Sequence, residues 1–203
     1  MKVAIIGAGS VGKALATSIT KAGHDVTIAA KNSENARVAA GEIGTRAAES
    51  NAAAVVGADV VILAVPYGAG AQVAYDIRDV VRGKTIIDVT NPLTQDYSGL
   101  ATTDTSAAEE LQLRLPDARV VKAFNTIFAS NQAIPSRDVD GFVAADDGDA
   151  KQQVISLIES MGFNPLDVGP LSAARHLEGM AFINIGLNAQ NGWNWTSAWK
   201  LER

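Results

Sequence analysis

The sequence contains no cysteine, and histidine occurs only at His24 and His176 among 203 residues. Without thiolates, a disulfide framework, a cysteine nucleophile and sulfur-rich zinc sites are excluded. An acidic cluster at residues 146–149 lacks the spacing and the terminal Glu of an EF-hand, so helix capping is its predicted role. The sequence therefore predicts no metal site.

Positive charge is also scarce, since 17 Lys and Arg stand against 22 Asp and Glu and give a net charge of −5. Nucleic acids and anionic membranes are bound mainly through excess positive charge, so neither is an expected partner. The apolar stretch over residues 60–66 is only strand-length, whereas a membrane span needs about 18 apolar residues. These shortages predict a cytoplasmic protein that binds small molecules or other proteins.

The apolar content is nevertheless high enough for a packed core, because 47% of the residues are hydrophobic. Short segments rich in Val, Ile and Ala alternate with segments of helical periodicity. Predicted strands cover residues 3–6, 25–29, 60–65, 84–89, 119–124 and 141–145. Predicted helices cover residues 11–22, 35–42, 69–81, 107–113 and 150–161. The alternation predicts one α/β domain over residues 1–203, a Rossmann-like, doubly wound, mainly parallel sheet with a C-terminal helical segment over residues 170–203.

A glycine-rich turn joins the first predicted strand to the first predicted helix. It reads Gly7-Ala8-Gly9-Ser10-Val11-Gly12, which is the G-x-G-x-x-G pattern of dinucleotide sites. Gly7 permits the tight turn, Gly9 lets a pyrophosphate approach the backbone, and Gly12 lets helix and strand pack closely. The N–H groups at the start of the helix favour phosphate. The motif predicts a nucleotide site, with a purely structural turn as the alternative.

The end of the second predicted strand distinguishes NAD from NADP. An NAD site places an acidic side chain there, about 20 residues after the glycine pattern. This chain has alanine at both positions 29 and 30. A cation and hydrogen-bond donors follow, at Lys31, Asn32, Ser33 and Arg37. These groups suit a 2′-phosphate and predict NADP(H), although Lys31 and Arg37 could also be ordinary solvated charges.

Three further predicted strands end in rigid or polar turns. The turns are Val65-Pro66-Tyr67, Thr90-Asn91-Pro92 and Phe124-Asn125-Thr126. Because parallel strands bring their carboxyl ends to the edge of the sheet where ligands bind, the three turns are expected to line the cofactor site. Strand termination is the alternative role of Pro66, and a local cap bonded to neighbouring backbone is the alternative role of Asn125.

Four segments together resemble one protein family over nearly the whole chain. They are the glycine pattern, Val65-Pro66, Val120-Val121-Lys122-Ala123-Phe124-Asn125-Thr126-Ile127 and Asp167-Val168-Gly169-Pro170-Leu171-Ser172-Ala173-Ala174-Arg175. In this order they are similar to NADP oxidoreductases dependent on coenzyme F420 and to the cytoplasmic domain of the STEAP metalloreductases. The third and fourth segments are more restrictive than the glycine pattern.

The resemblance implies hydride transfer between the nicotinamide of NADP(H) and a flavin-like ring. In one branch the ring is the deazaflavin coenzyme F420, and in the other it is a flavin (FMN or FAD) that passes electrons to ferric or cupric ions. Transfer between stacked rings requires mainly positioning and exclusion of water, so no catalytic acid or base is expected.

Matching positions extend the resemblance to individual residues. It implies that Ser10 and Val11 contact the pyrophosphate and ribose, and that Lys31, Asn32 and Ser33 contact the 2′-phosphate. It also implies that Val65 and Pro66 contact the inner edge of the nucleotide, and that Asn91 and Pro92 lie beside the nicotinamide.

Asn125 is predicted to position the reacting rings. The residue at this position also leaves the identity of the hydride acceptor open. The archaeal deazaflavin reductases carry histidine at this position, whereas the metalloreductase branch carries asparagine. A non-enzymatic NADP sensor that changes its partner contacts is a further hypothesis. Reduction of a carbonyl or imine is disfavoured because it requires a proton donor and a helical substrate domain.

The C-terminal part of the chain contains all three tryptophans, Trp193, Trp195 and Trp199. Burial in a homodimer interface is one interpretation, and a wall against a tricyclic acceptor is the other. Arg175 and His176 likewise either contact an acidic acceptor or lie on a helix surface.

Overall fold

A computed structural model describes residues 1–202. Within them, eight strands form one sheet in the order β3-β2-β1-β4-β5-β6-β7-β8. The strands are β1 (Lys2–Ile6), β2 (Asp25–Ala29), β3 (Arg46–Ala47), β4 (Val60–Leu63), β5 (Thr85–Asp88), β6 (Arg119–Ala123), β7 (Asp140–Ala145) and β8 (Asn164–Asp167). The helices are α1 (Ser10–Lys21), α2 (Ser33–Ile43), α3 (Asn51–Val56), α4 (Gly70–Ile77), α5 (Ala107–Arg114), α6 (Ala129–Ala133), α7 (Gly148–Met161) and α8 (Ala174–Asn191).

The sheet confirms the predicted Rossmann-like, mainly parallel architecture. All pairs from β3 to β6 are parallel, and the β6–β7 pair is antiparallel. The connection between β6 and β7 begins and ends at the same edge of the sheet. The chain therefore does not cross over to the opposite edge, and β7 runs antiparallel to β6. β8 then pairs parallel to β7 at the outer edge.

Helices cover both faces of the sheet and enclose two apolar layers. Successive side chains of a strand point to opposite faces, so Val3 and Ile5 pack under α1, α2 and α7 while Ala4 and Ile6 pack under α3, α4 and α5. This burial on both faces explains why the strands are continuously apolar in sequence. The layers hold the carboxyl ends of β1, β2, β4, β5 and β6 along one edge.

The shortest elements of the fold were not predicted from the sequence. β3 has two residues and α6 has five, so neither displays a readable period. β8 contains Pro165, which is tolerated because β8 lies at the edge of the sheet. The capping role predicted for the acidic cluster is confirmed, because Asp147 accepts from Ala150 N at the start of α7. Ser106 caps α5 in the same way by accepting from Glu109 N.

The predicted C-terminal helical extension is confirmed by α8, which covers only part of the predicted segment 170–203. α8 ends at Asn191, where Gly192 adopts a left-handed φ of 64°, and residues 193–202 continue without a helix. The tail returns to β7, because Asp140 N donates to the carbonyl oxygen of Trp199 at 3.0 Å. None of the helices within residues 1–202 combines the length and apolar character needed to cross a membrane.

Candidate dinucleotide site

The glycine turn is closely packed at two positions and open at the third. Gly7 has a φ of +124°, and a Cβ there would lie 2.0 Å from the carbonyl oxygen of Ala64. A Cβ at Gly12 would lie 1.9 Å from the carbonyl oxygen of Gly7. A Cβ at Gly9 would meet no atom of residues 1–202 within 4 Å. Backbone packing therefore requires glycine at positions 7 and 12, and the surface over Gly9 is accessible to a ligand.

Two adjoining cavities extend from this turn along the sheet edge. The first, here called the turn cavity, has a volume of about 570 Å³ and is lined by Gly7, Gly9, Lys31, Asn32 and Pro66 among others. The second, called the Gln72 cavity, has a volume of about 670 Å³. They share Ala30, Lys31 and Val65.

The Gln72 cavity has a polar lining that was not predicted from the sequence. Ser50, Asn51 and Gln72 line it, and Asn51 Nδ2 donates to Asp76 Oδ2 at 3.0 Å. Asn51 Oδ1 is buried without a hydrogen-bond partner among residues 1–202. α3 and α4 supply these groups, and α3 was too short to be recognised in the sequence.

The residues predicted to hold a 2′-phosphate differ in their availability. Arg37 lies on α2, where its guanidinium bonds Glu49 at 2.9 Å and Glu34 at 3.1 Å, and these contacts raise its pKa. Asn32 caps α2 by accepting from Glu34 N at 2.9 Å, and Ser33 begins that helix. Within residues 1–202 Lys31 makes no ion pair, and it lines both cavities.

A third cavity, the Asn125 cavity, lies where the turns after β5 and β6 meet α8. It has a volume of about 200 Å³ and is lined by Val11, Asn91, Asn125, Gln132 and Asn184 among others. Asn91 Nδ2 donates to the carbonyl oxygen of Asn125 at 3.0 Å, and Asn125 Nδ2 donates to Asn91 Oδ1 at 2.9 Å. The side chain of Asn125 therefore joins the two turns and is not a local cap.

Two amide oxygens in the lining of the Asn125 cavity lack partners. Asn125 Nδ2 also donates to the carbonyl oxygen of Leu177, and Gln132 Nε2 donates to the carbonyl oxygens of Phe124 and Ile127. These backbone acceptors fix the orientation of both amides. Within residues 1–202, Asn125 Oδ1 and Gln132 Oε1 are buried without a hydrogen-bond donor. Because an unpaired buried carbonyl is unfavourable, the lining suits a ligand that presents N–H groups.

Three other residues that were predicted to contact the cofactor are absent from the linings of the turn, Gln72 and Asn125 cavities: Tyr67, Thr90 and Pro92. Tyr67 Oη donates to Glu110 Oε2 at 2.9 Å, in a separate cavity of about 210 Å³ between α4 and α5 that Thr90 also lines. Burial and the bond to Glu110 raise the pKa of Tyr67 to about 12. Pro92 is buried, and its carbonyl oxygen accepts from Ala101 N at 2.6 Å.

A buried ammonium group lies under the same turns and was not identified as a site residue from the sequence. Lys122 in β6 has no exposed side-chain surface. Its acceptors are Asp88 Oδ2 at 2.7 Å, the carbonyl oxygen of Thr90 at 2.6 Å and Glu178 Oε1 at 2.8 Å. Burial raises the pKa of Glu178, and Lys122 opposes that shift. The one signal in the sequence was a lysine inside the apolar segment 119–124.

Comparison with known proteins identifies the family. Residues 2–92 match the family described as NADP oxidoreductase, coenzyme F420-dependent. The F420-dependent NADP reductase of Methanothermobacter thermautotrophicus is 35% identical over 210 residues, which cover 94% of this chain and 90% of that protein. Metalloreductase STEAP3 of Rattus norvegicus is 30% identical over 87% of this chain, although the match spans only 36% of the rat protein.

A solved structure supports the same assignment over the full length. A chain from Arthrobacter sp. FB24, named as an F420-dependent NADP reductase, superimposes with a TM-score of 0.91 and 27% identity, covering 100% of both chains. The sequence matches and this shared fold agree with the glycine turn and with the edge cavities. The chain therefore belongs to the NADP oxidoreductase family dependent on coenzyme F420, and its activity class is that of an NADP-dependent oxidoreductase.

Proposed function

We propose that the protein transfers hydride between NADP(H) and the deazaflavin ring of coenzyme F420, with the two rings meeting at the Asn125 cavity. The observation that carries the proposal is the row of cavities along one edge of the sheet, from Lys31 past the open surface of Gly9 to Asn125. Relatives named F420-dependent NADP reductases support the choice of acceptor.

The residues present fit a dinucleotide from end to end. Lys31 provides the cation for a 2′-phosphate, and the backbone N–H groups at Gly9 and Ser10 bind the pyrophosphate at the start of α1. Asn91 and Asn125 form the wall for the nicotinamide, whose carboxamide N–H groups could satisfy Asn125 Oδ1. Val65 and Pro66 line the inner edge of the nucleotide path.

Catalysis then depends on placement of the reactants. When bound, NADPH supplies the hydride and the deazaflavin accepts it together with one proton from solvent, leaving NADP⁺. The two hydrogen bonds between Asn91 and Asn125 fix the wall against which the rings stack. Ile127 and Phe128 add apolar surface to the Asn125 cavity and limit the access of water.

Anaerobic mixing of the purified protein with NADPH and oxidised F420 tests this function through the loss of the visible absorbance of F420. Rapid bleaching is the expected result. Bleaching of FMN or FAD alone, followed by ferric reduction, would instead support the second candidate, which rests on asparagine at position 125 and on the match to the rat metalloreductase. Tight NADPH binding without reduction of any acceptor would support a nucleotide sensor.

Lys31→Glu is expected to lower the preference for NADPH over NADH by at least about tenfold, because a charge-assisted contact to phosphate contributes about 1.5–3 kcal/mol. Ratios of kcat/KM for the two cofactors measure the change. Arg37→Ala is the matched control, and only a small effect is expected because Glu34 and Glu49 already engage that guanidinium. An unchanged preference in Lys31→Glu would contradict the assignment.

Asn125→Ala is expected to lower kcat by about 10- to 100-fold, since small displacements of reacting groups have effects of this size. The substitution removes the donors to Asn91 Oδ1 and to the Leu177 carbonyl oxygen. Steady-state kinetics with the acceptor that bleaches provide the measurement, and Asn191→Ala at the end of α8 is the control. Unaltered turnover in Asn125→Ala would favour a purely local role.

We also propose that the protein forms a homodimer through α8 and the first tail residues. Ile183, Leu187 and Trp193 expose between 39% and 53% of their surface, which is unusual for large apolar side chains. Trp195 is 45% exposed as well, but it packs edge-on against Phe128, with ring centroids 5.5 Å apart, and Phe128 lines the Asn125 cavity. The support is thus divided, with Trp193 suited to an interface and Trp195 to the acceptor wall. Light scattering provides the mass that tests the dimer.

A further inference from the structure

Lys122 is a fully buried cation in the middle of an apolar strand. Its side chain is buried in the strand between the buried residues Val121 and Ala123, so its charge is desolvated. All three N–H groups of the ammonium have acceptors within 2.8 Å. A complete set of buried, paired charges rarely improves stability over packed apolar side chains at all of the same positions, so the contacts of Lys122 indicate what the set provides.

The first contact of Lys122 fixes the turn after β5. Thr90 N donates to Asp88 Oδ1 at 3.1 Å, and the carbonyl oxygen of Thr90 accepts from Lys122. Both backbone polar groups of Thr90 are therefore held by the buried charges. Asn91 follows directly, and its side chain carries the two-way contact with Asn125.

The second contact reaches α8. Glu178 Oε1 accepts from Lys122 and, at 3.0 Å, from Ala107 N at the start of α5. The preceding residue, Leu177, supplies the carbonyl oxygen that accepts from Asn125 Nδ2 at 3.0 Å. The contacts thus close a ring from Lys122 through Thr90, Asn91 and Asn125 to α8 and back.

We propose that Lys122 and Glu178 are positioning residues for hydride transfer, because their ion pair holds the Asn91 and Asn125 turns in one fixed arrangement against α8. The proposal rests on the proposed function, since the reacting rings are placed at those two turns. Neither side chain lines the Asn125 cavity among the residues described, so both act through Asn91 and Asn125. Their loss disturbs the nicotinamide end of the site and leaves the Lys31 end intact.

Two substitutions of Glu178 distinguish the effect of its hydrogen-bond acceptor from the effect of its negative charge. Three groups face the carboxylate of Glu178: Lys122 on β6, Asp88 on β5 and the backbone N–H of Ala107 on α5. Glu178→Gln retains an amide oxygen where Oε1 accepts both bonds, and it leaves Lys122 balanced by Asp88 alone. Glu178→Ala removes the acceptor and breaks the ring. Glu109→Ala is the matched control, because it breaks a separate ion pair, between Glu109 on α5 and Arg175 on α8 at 2.6 Å, without touching Lys122.

The test compares kcat with binding at the two ends of the site. Adenosine 2′,5′-bisphosphate probes the Lys31 end by calorimetry, and NADPH probes both ends. Glu178→Ala is expected to lower kcat at least tenfold and to weaken NADPH more than the bisphosphate, whose Kd changes less than twofold. Glu178→Gln is expected to keep kcat within about threefold of the wild type, and Glu109→Ala to keep it within about twofold.

A structural role predicts a different pattern. Wild-type kcat in Glu178→Ala, equal losses in the Gln and Ala variants, or parallel loss of bisphosphate and NADPH affinity would each overturn the proposal. If the wild type reduces neither F420 nor a flavin, the proposed function fails alone, because the ratio of NADPH to bisphosphate affinity still reports on positioning. A ratio unchanged by Glu178→Ala then overturns the positioning role as well.

Discussion

Gly12→Ala is expected to destabilise the protein by about 3 kcal/mol and to weaken NADP(H) binding, whereas Gly9→Ala is expected to weaken binding without loss of stability. The added Cβ at position 12 would lie 1.9 Å from the backbone oxygen of Gly7, a contact that no side-chain rotation relieves. Overpacking at such a point lies at the upper end of the usual range. At position 9 the Cβ meets no atom of the described chain within 4 Å and would occupy only the space for the pyrophosphate.

Thermal denaturation together with NADPH titration measures the two effects separately. Gly9 has an extended backbone, with φ −79° and ψ −172°, so alanine adopts it without strain. We expect its NADPH Kd to rise about 100-fold, equivalent to about 2.7 kcal/mol. Gly41→Ala in α2 is the control, and it should be neutral or stabilising by up to about 1 kcal/mol. A Gly12→Ala variant with wild-type Tm, or a Gly9→Ala variant with wild-type affinity, would contradict the geometry.

Lys122→Met is expected to reduce the free energy of unfolding by about 3–5 kcal/mol at neutral pH, because it leaves Asp88 and Glu178 buried without their shared cation. For a chain of this size the loss corresponds to a Tm lower by about 6–20 °C. Denaturant unfolding or calorimetry measures it. Lys21→Met on the exposed end of α1 is the control, with an expected change within about 0.5 kcal/mol.

The pH dependence of this loss has a definite sign. Burial raises the pKa of Glu178 above its unfolded value, so its contribution to stability is greatest at acid pH and declines as pH rises through the folded pKa. Lys122 opposes that rise, and its removal strengthens the preference for the protonated carboxyl. The deficit of Lys122→Met should therefore shrink as pH falls from 7 toward the unfolded pKa of Glu178. A deficit that grows on acidification, or none at pH 7, would contradict the buried charge balance.

The sequence by itself determined the parallel sheet, and it predicts the nucleotide end of the site. The strand–turn–helix unit from β1 to β2 is readable because its signals are local: an apolar run, glycines required by the backbone, and helical periodicity. The missing acidic residue after β2 is also a local feature, and it indicates NADP without any tertiary information. The edge elements β3 and β8 were not readable, because their neighbours in the sheet define them.

Only the tertiary structure decided which polar groups are free and which are engaged. Lys31 and Arg37 are equivalent cations in sequence. In the fold, Glu49 pairs with the guanidinium of Arg37, which is therefore less available to a phosphate than Lys31 is. Asn125 could be a local cap until α8 supplies the Leu177 carbonyl oxygen as its acceptor. Lys122 is one lysine in an apolar run until residues 34 and 56 positions away surround it with carboxylates. Hydrogen bonds and charge pairs across such separations depend on packing that no local pattern encodes, whereas turns and periods are properties of adjacent residues.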